Sequence, residues 1–239
     1  MVKIRAFRAT DNPMLCNRFM EGHRRVLDAV GVKKVTSSSD DWSTYPSSFV
    51  ILVESEEEDK VLGGARLQAA DGVHPLPMET AAGYMDPRVY ELVKKHMPGG
   101  TAEVCGLWNS MEVAGMGIGS IFLIRAALAI SDQIGLDSMF ALCSPYTTRI
   151  AGNYGFHVER SVGNDGTFYY PKLDLLATIV VQNDAHGLPA ASELESTRIF
   201  DLRQRPVQRT TEQARRSTVE IDYDLLVASA NPTEFKIIL

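Results

Sequence analysis

The residues Gly115-Met116-Gly117-Ile118-Gly119-Ser120 stand between a strand-like run, TAEVCGLW, and a long apolar helix pattern, SIFLIRAALAISDQIG. Consecutive backbone N–H groups at a helix start form an anion site, which the helix dipole reinforces. Glycines let a phosphate approach that backbone closely. The turn has no Gly-Lys-Ser/Thr of a Walker loop. Nor does the chain continue as a dinucleotide-binding unit with an acidic residue ending the next strand. On the motif alone, a phosphate cradle and a tight strand-to-helix turn both remain open. Metal chemistry has no ligand set: Cys16, Cys105 and Cys143 are far apart, form no CxxC pair and do not cluster with the five histidines. Neither a disulfide framework nor a zinc site is expected.

The elements that must position this turn can be read from periodicity. Residues 2–9 alternate as a strand, and Asn12-Pro13 opens a helical pattern carrying Leu15, Phe19, Val26 and Leu27 as far as Gly31. SSFVILVES and KVLGGARLQ read as a hairpin over 47–68, separated by the acidic turn SEEED. Pro75 and Pro77 open an irregular stretch, and PRVYELVKKHM is a short helix. After the glycine turn and its helix, DSMFALCSP is a strand and TTRIAGNYG a short helix. FHVERSVG and GTFYYPKLDLLATIVV are two strands joined at Asn164-Asp165-Gly166, a hairpin turn signal. The expected class is α/β (α+β): a mixed central sheet flanked by helices on both faces. Composition shifts after Asp184. The chain divides into 1–184 and a helical or irregular C-terminal appendage, 185–239, with a helix at about 191–204 and six arginines (198, 203, 205, 209, 215 and 216).

Of the 239 residues 45% are hydrophobic and 23% charged, enough to build a core and to set disorder aside. The net charge of −6 argues against a nucleic-acid coat. The opening MVKIRAFRATDN has no signal-peptide run, and the greasiest helix is broken by Arg125, so no membrane span and a cytoplasmic home are expected.

The segment from Ala114 to Gly119 resembles the Arg/Gln-x-x-Gly-x-Gly/Ala signature of the GNAT superfamily of N-acyltransferases, with alanine in its first position. The flanking strand and helix, the strand MFALCSP and the helix ending in Asn153-Tyr154-Gly155-Phe156 follow in family order. The resemblance covers roughly residues 2–183. It implies a GNAT-like fold, an acyl-CoA or acyl-phosphopantetheine thioester bound by the amides of Met116, Gly117, Ile118, Gly119 and Ser120, and strands at 101–108 and 138–144 that splay to admit the pantetheine arm. Trp108, ending the first of these strands, is assigned with them to thioester binding. The family's general-acid tyrosine falls at Ala151. A narrower resemblance, to acyl-homoserine-lactone synthases and N-acyl amino acid synthases, fits Gly63-Gly64-Ala65-Arg66-Leu67, Ser144-Pro145 and the acidic pair Asp40-Asp41. Their Glu-[Ile/Val]-x-Arg segment corresponds to Glu103-Val104-Cys105-Gly106, glycine standing for the arginine.

Amine acylation needs a deprotonated amine, a polarised thioester carbonyl and a protonated leaving thiol. Glu103 is the candidate base; its other reading is a strand-end carboxylate paired with a nearby cation. Arg66 is the second catalytic candidate, placed to hold an acceptor carboxylate, or else held in a buried ion pair with Glu103 or Asp40. The implied function is transfer of an acyl group to a small-molecule primary amine, such as that of an amino acid. The alternatives are an autoinducer-type synthase and a non-catalytic thioester-binding protein. The arginines of 198–216 make an acidic acyl-carrier protein a candidate partner, or else simply pair with local acids.

Overall fold

The computed structural model describes residues 1–29, 31, 39–56, 60–116, 118, 120–213 and 218–236. In chain order the elements are β1 (Val2–Arg8), α1 (Pro13–Ala29), β2 (Ser48–Ser55), β3 (Val61–Ala69), α2 (Pro77–Ala82), α3 (Arg88–His96), β4 (Thr101–Asn109), α4 (Ile121–Ile134), β5 (Ser138–Cys143), α5 (Pro145–Ala151), β6 (His157–Val158), β7 (Thr167–Tyr169), β8 (Leu176–Gln182), α6 (Glu193–Gln204), β9 (Val207–Gln213) and β10 (Thr218–Asp224). The strands form one mixed sheet in the order β6-β8-β5-β4-β3-β2-β1-β10-β9, with β7 also on β8. The pairs β1–β10 and β4–β5 are parallel and the others antiparallel.

The near-continuous apolar run of β2 marks a strand buried on both faces. Phe49, Ile51 and Val53 pack with Phe122, Ala126 and Ile130 of α4 on one side. Val50 and Leu52 pack with Leu15, Phe19 and Trp42 on the other, where α1 lies. A third cluster under α2 and α3 gathers Leu76, Met78, Val89, Val93 and Phe140. Helix α1 starts where Asn12 Oδ1 accepts the Leu15 N–H at 3.1 Å, and α4 stops at Gly135, whose φ of +76° favours glycine.

Three readings of the sequence change. The stretch after Pro75 is not irregular throughout: Pro77 opens α2, with Glu79 Oε2 accepting the Leu76 N–H at 2.7 Å. The long strand expected over 166–181 is two, β7 and β8, parted around Pro171, which has no N–H for the ladder. The C-terminal segment is not only helical or irregular. Helix α6 packs on α4, while β9 and β10 form a hairpin that joins the sheet beside β1. Part of the acidic turn, 57–59, lies outside the described residues.

The feature that matters for function is where the sheet opens. Strands β4 and β5 pair only at Thr101–Ser138, Ala102–Met139 and Glu103–Phe140. Past Glu103 the two strands are no longer partners. The expected splay is present, with Glu103 at its apex.

Candidate active site

A cleft of about 270 Å³ fills the split. Val104 to Leu107 of β4 form one wall and Ala141 to Ser144 the other. The cleft passes through the sheet: His23 and Leu27 of α1 line it on one side, Ile124 of α4 and Ala151 of α5 on the other. Ile124 belongs to the first turn of α4, so the cleft runs from the glycine turn's helix to the Glu103 apex.

Glu103 is buried and faces the α2 side, where its Oε2 accepts the Met78 N–H at 2.7 Å. Burial pushes its carboxyl up to about 8, against the lowering pull of the Met78 amide and of Arg66, with Glu79 adding to the rise. Glu79, the other carboxylate at the start of α2, is also raised by burial. No salt bridge to Glu103 exists among the described residues, so the strand-end ion pair is not what holds it.

Arg66 lies 2% exposed on β3, the diagonal neighbour of Glu103 across the β3–β4 ladder. Its Nε donates to Cys105 Sγ at 3.2 Å, and its guanidinium stacks 4.8 Å over the Trp42 ring. Neither expected ion pair forms: Asp40 sits in an exposed turn paired with Arg24 at 3.1 Å. Nη1 of Arg66 is buried without a hydrogen bond. Arg66 is thus a buried cation with no carboxylate in contact among the described residues, set behind the Cys105 wall of the cleft.

Gly106 explains two departures at once. Its φ is +56°, a left-handed backbone that disfavours the arginine expected there by family pattern. It also opens a β-bulge: Arg66 pairs with Cys105 but Gly64 with Trp108, so two residues of β4 oppose Ala65. The extra residue reverses the alternation, turning Trp108 onto the α1 face. There Trp108 packs edge-on to Phe19 and stacks on His23 over Gly22, where any Cβ would overlap its ring. Trp108 therefore does not line the β4–β5 cleft.

The glycine turn departs in part from its expected use. The Met116 N–H donates to Val113 O at 3.2 Å and is engaged within the turn. Ile118 is buried in the core, and Ser120 is the N-cap residue of α4, its carbonyl accepting from Ile124 at 3.0 Å. Gly117 and Gly119 lie outside the described residues. Cys105 of β4 and Cys143 of β5 both line the cleft, their thiols pushed up by burial to about 11 and about 12. Tyr154 is a packing residue whose hydroxyl donates to Ile121 O at 2.8 Å.

The sequence does not single out His23, Tyr170 or Thr147, which also line the cleft. The available signal for His23 was its place one helical turn after Phe19 on the buried stripe of α1. Tyr170 and Thr147 come from connections whose reach no periodicity gives. Among the described residues no three His, Cys, Asp or Glu side chains gather as a metal site would need, and no helix is long and apolar enough to cross a membrane.

A mixed sheet split between two parallel central strands, with helices on both faces, is the GNAT-like fold. The solved structures that share it include FeeM, an N-acyl amino acid synthase from uncultured soil microbes, with a TM-score of 0.58 and 14% identity over 82% of this chain and 98% of that one. MesI, a CoA-dependent acyl-homoserine lactone synthase, gives 0.53 at 14% identity over 84% and 95%. An acyl-CoA N-acyltransferase from Pseudomonas aeruginosa gives 0.52 at 13% identity over 76% and 99%. No protein-family model and no curated protein matches the chain in sequence.

Proposed function

We propose that this protein is an N-acyltransferase that moves an acyl group from an acyl-CoA thioester to a primary amine, with Glu103 as the proton acceptor. The observation that carries the reading is the buried Glu103 at the apex of the through-sheet cleft, with its carboxyl raised to about 8. The pantetheine arm lies between β4 and β5, and the thioester carbonyl reaches the apex. The amine lone pair forms the C–N bond at that carbon and the C–S bond breaks. The thiolate leaves with the electron pair and takes a proton from water, while the proton shed by nitrogen passes to Glu103. A carboxylate poised near the working pH serves this step better than an ordinary surface glutamate.

Arg66 supports an acceptor that itself carries a carboxylate, such as an amino acid. A buried cation without a contacting anion favours any ligand or ionised group that supplies one. The donor we propose is acyl-CoA rather than a carrier protein. Four of the six C-terminal arginines have local acidic partners: Arg198 with Glu212, Arg203 with Asp132, Arg205 with Asp201 and Arg209 with Glu56. Arg215 and Arg216 lie outside the described residues. Gly106 weighs against an autoinducer-type synthase, since its left-handed backbone disfavours the arginine of that pattern.

The test mixes the protein with acetyl-, hexanoyl- and decanoyl-CoA and each of the twenty amino acids, and follows free thiol. Release that depends on both an acyl-CoA and an amine is expected. Tight acyl-CoA binding with no amine-dependent release would make the protein a thioester binder instead.

A further inference from the structure

The cleft opens to both sides of the sheet, and the side away from α4 has one uncommitted polar ring. His74 bonds to Asp71, His96 to Ser138, His157 to Asn183 and His186 to Asp132. His23 alone among the five histidines has no hydrogen-bond partner among the described residues, although it lines the cleft. Its ring nitrogens are not among the buried polar atoms left without a partner, so the ring keeps access to the cleft. The ring is fixed by packing: it stacks on Trp108 with an interplanar angle of 15° and meets Phe19 at 6.0 Å. Its Cε1 lies 3.8 Å from where a Cβ at Gly106 would stand, so the bulge glycine leaves room beside it.

We infer that His23 is the residue that receives the acceptor amine: its free ring nitrogen takes a hydrogen bond from the amine N–H and aims the lone pair at the thioester carbonyl. This inference rests on the acyl-transfer reading above. The two openings then have different uses. The thioester enters past Ile124 on the α4 side, and the amine enters past His23 and Leu27 on the α1 side. The charged and titratable groups around the ring are Arg66 from β3 and Glu103 and Cys105 from β4. Burial and the nearby Arg66 hold the imidazole down at about 4, so at neutral pH it is uncharged and able to accept. An imidazolium at this place would repel an ammonium; the neutral ring does not. His23 moves no proton in the net reaction. It positions, and Glu103 takes the proton.

Three variants separate this role from packing. His23→Phe keeps an aromatic ring on Trp108 and removes the acceptor, His23→Gln restores one, and His23→Ala removes both ring and acceptor. KM for the best amino-acid acceptor is read beside acetyl-CoA affinity by calorimetry. Loss of one neutral hydrogen bond predicts that His23→Phe raises the amine KM about tenfold, while His23→Gln recovers most of it. Acetyl-CoA affinity stays unchanged in both. If His23→Phe equals wild type in amine KM while His23→Ala is poorly folded, the ring only packs and the inference is overturned. If the wild-type protein binds acetyl-CoA but releases no thiol with any amino acid, the acyl-transfer reading itself fails and the role of His23 falls with it.

Discussion

Arg66 in the sheet and Arg125 in α4 are both buried, and they have opposite surroundings. Arg125 is 3% exposed in α4, 5.3 Å over the Phe122 ring. Its Nε and Nη2 donate to the two oxygens of Glu195 at 2.9 and 3.1 Å, and Nη1 lies 2.8 Å from Glu212. Arg66 is as deeply buried and also lies over a ring, yet it donates its hydrogen bond to a thiol sulfur. The first arginine ties α6 and β9 to α4 with its charge answered twice. Among the described residues the second has no carboxylate in contact, and it stands near a carboxyl whose pKa burial raises to about 8. Closed charge networks hold folds together; an open one beside a cleft is where a substrate can complete the set.

The comparison breaks most visibly at Arg125. Arg125→Ala strands two buried carboxylates and should cost about 3–5 kcal/mol. For a chain of this size that is a fall in Tm of roughly 6–20 °C by calorimetry. An unchanged Tm would show that the network is not structural.

Glu103→Gln should lower acyl-transfer kcat by about 100-fold or more, with acyl-CoA affinity little changed. Its stability should move the other way. The folded-state pKa of Glu103 lies above its ordinary 4.5, so the folded protein holds a proton that the unfolded chain gives up between pH 4.5 and about 8. Wild-type stability therefore carries a penalty that grows across this window and levels off above it. Glu103→Gln has no such penalty, and its Tm should gain on wild type as pH rises. A Tm difference that does not shift in the variant's favour between pH 5 and pH 8 would contradict this sign.

Arg66→Met sharpens the contrast with Arg125. With no ion pair to break, its Tm should stay within about 3 °C of wild type. The KM for a carboxylate-bearing amine should rise more than that for the matching amine without the carboxylate. Equal effects on both amines would remove Arg66 from acceptor recognition.

Strand patterning, the Asn164-Asp165-Gly166 turn and the glycine-to-helix motif are local, and these are the parts of the fold most legible in the sequence. The turn at Asn164 forms, with positive φ at Asp165 and Gly166 and backbone hydrogen bonds exchanged between Asn164 and Thr167, but the strands expected on its two sides do not pair with each other: β6 and β7 each pair with β8. The site was legible only in part. Glu103 could be named because it begins a strand that must be central. Its neighbours could not, because the bulge at Gly106 reverses which face Trp108 occupies, and one inserted residue leaves the alternation of types unchanged. The edge hairpin β9–β10 was hidden because its polar alternation, VQRTTEQ against TVEIDYD, matches a solvated tail as well as a strand.

The smallest effect belongs to the C-terminal arginines. Arg209→Ala loses a partly exposed pair with Glu56 and should change stability by no more than about 1 kcal/mol. The ratio of acyl-CoA to acyl-carrier-protein activity should not change. A selective loss with the carrier would return that partner to the account.

The central claim is that the proton of the amine goes to Glu103 at the apex of the split. The most direct measurement is the pH dependence of kcat/KM for the acceptor, in wild type and in Glu103→Gln. A base with its pKa raised to about 8 predicts wild-type activity that climbs with pH and levels off above that value. In Glu103→Gln that limb should be gone, leaving a low rate that follows only the ionisation of the amine. The same limb with the same midpoint in both proteins would place the proton acceptor elsewhere.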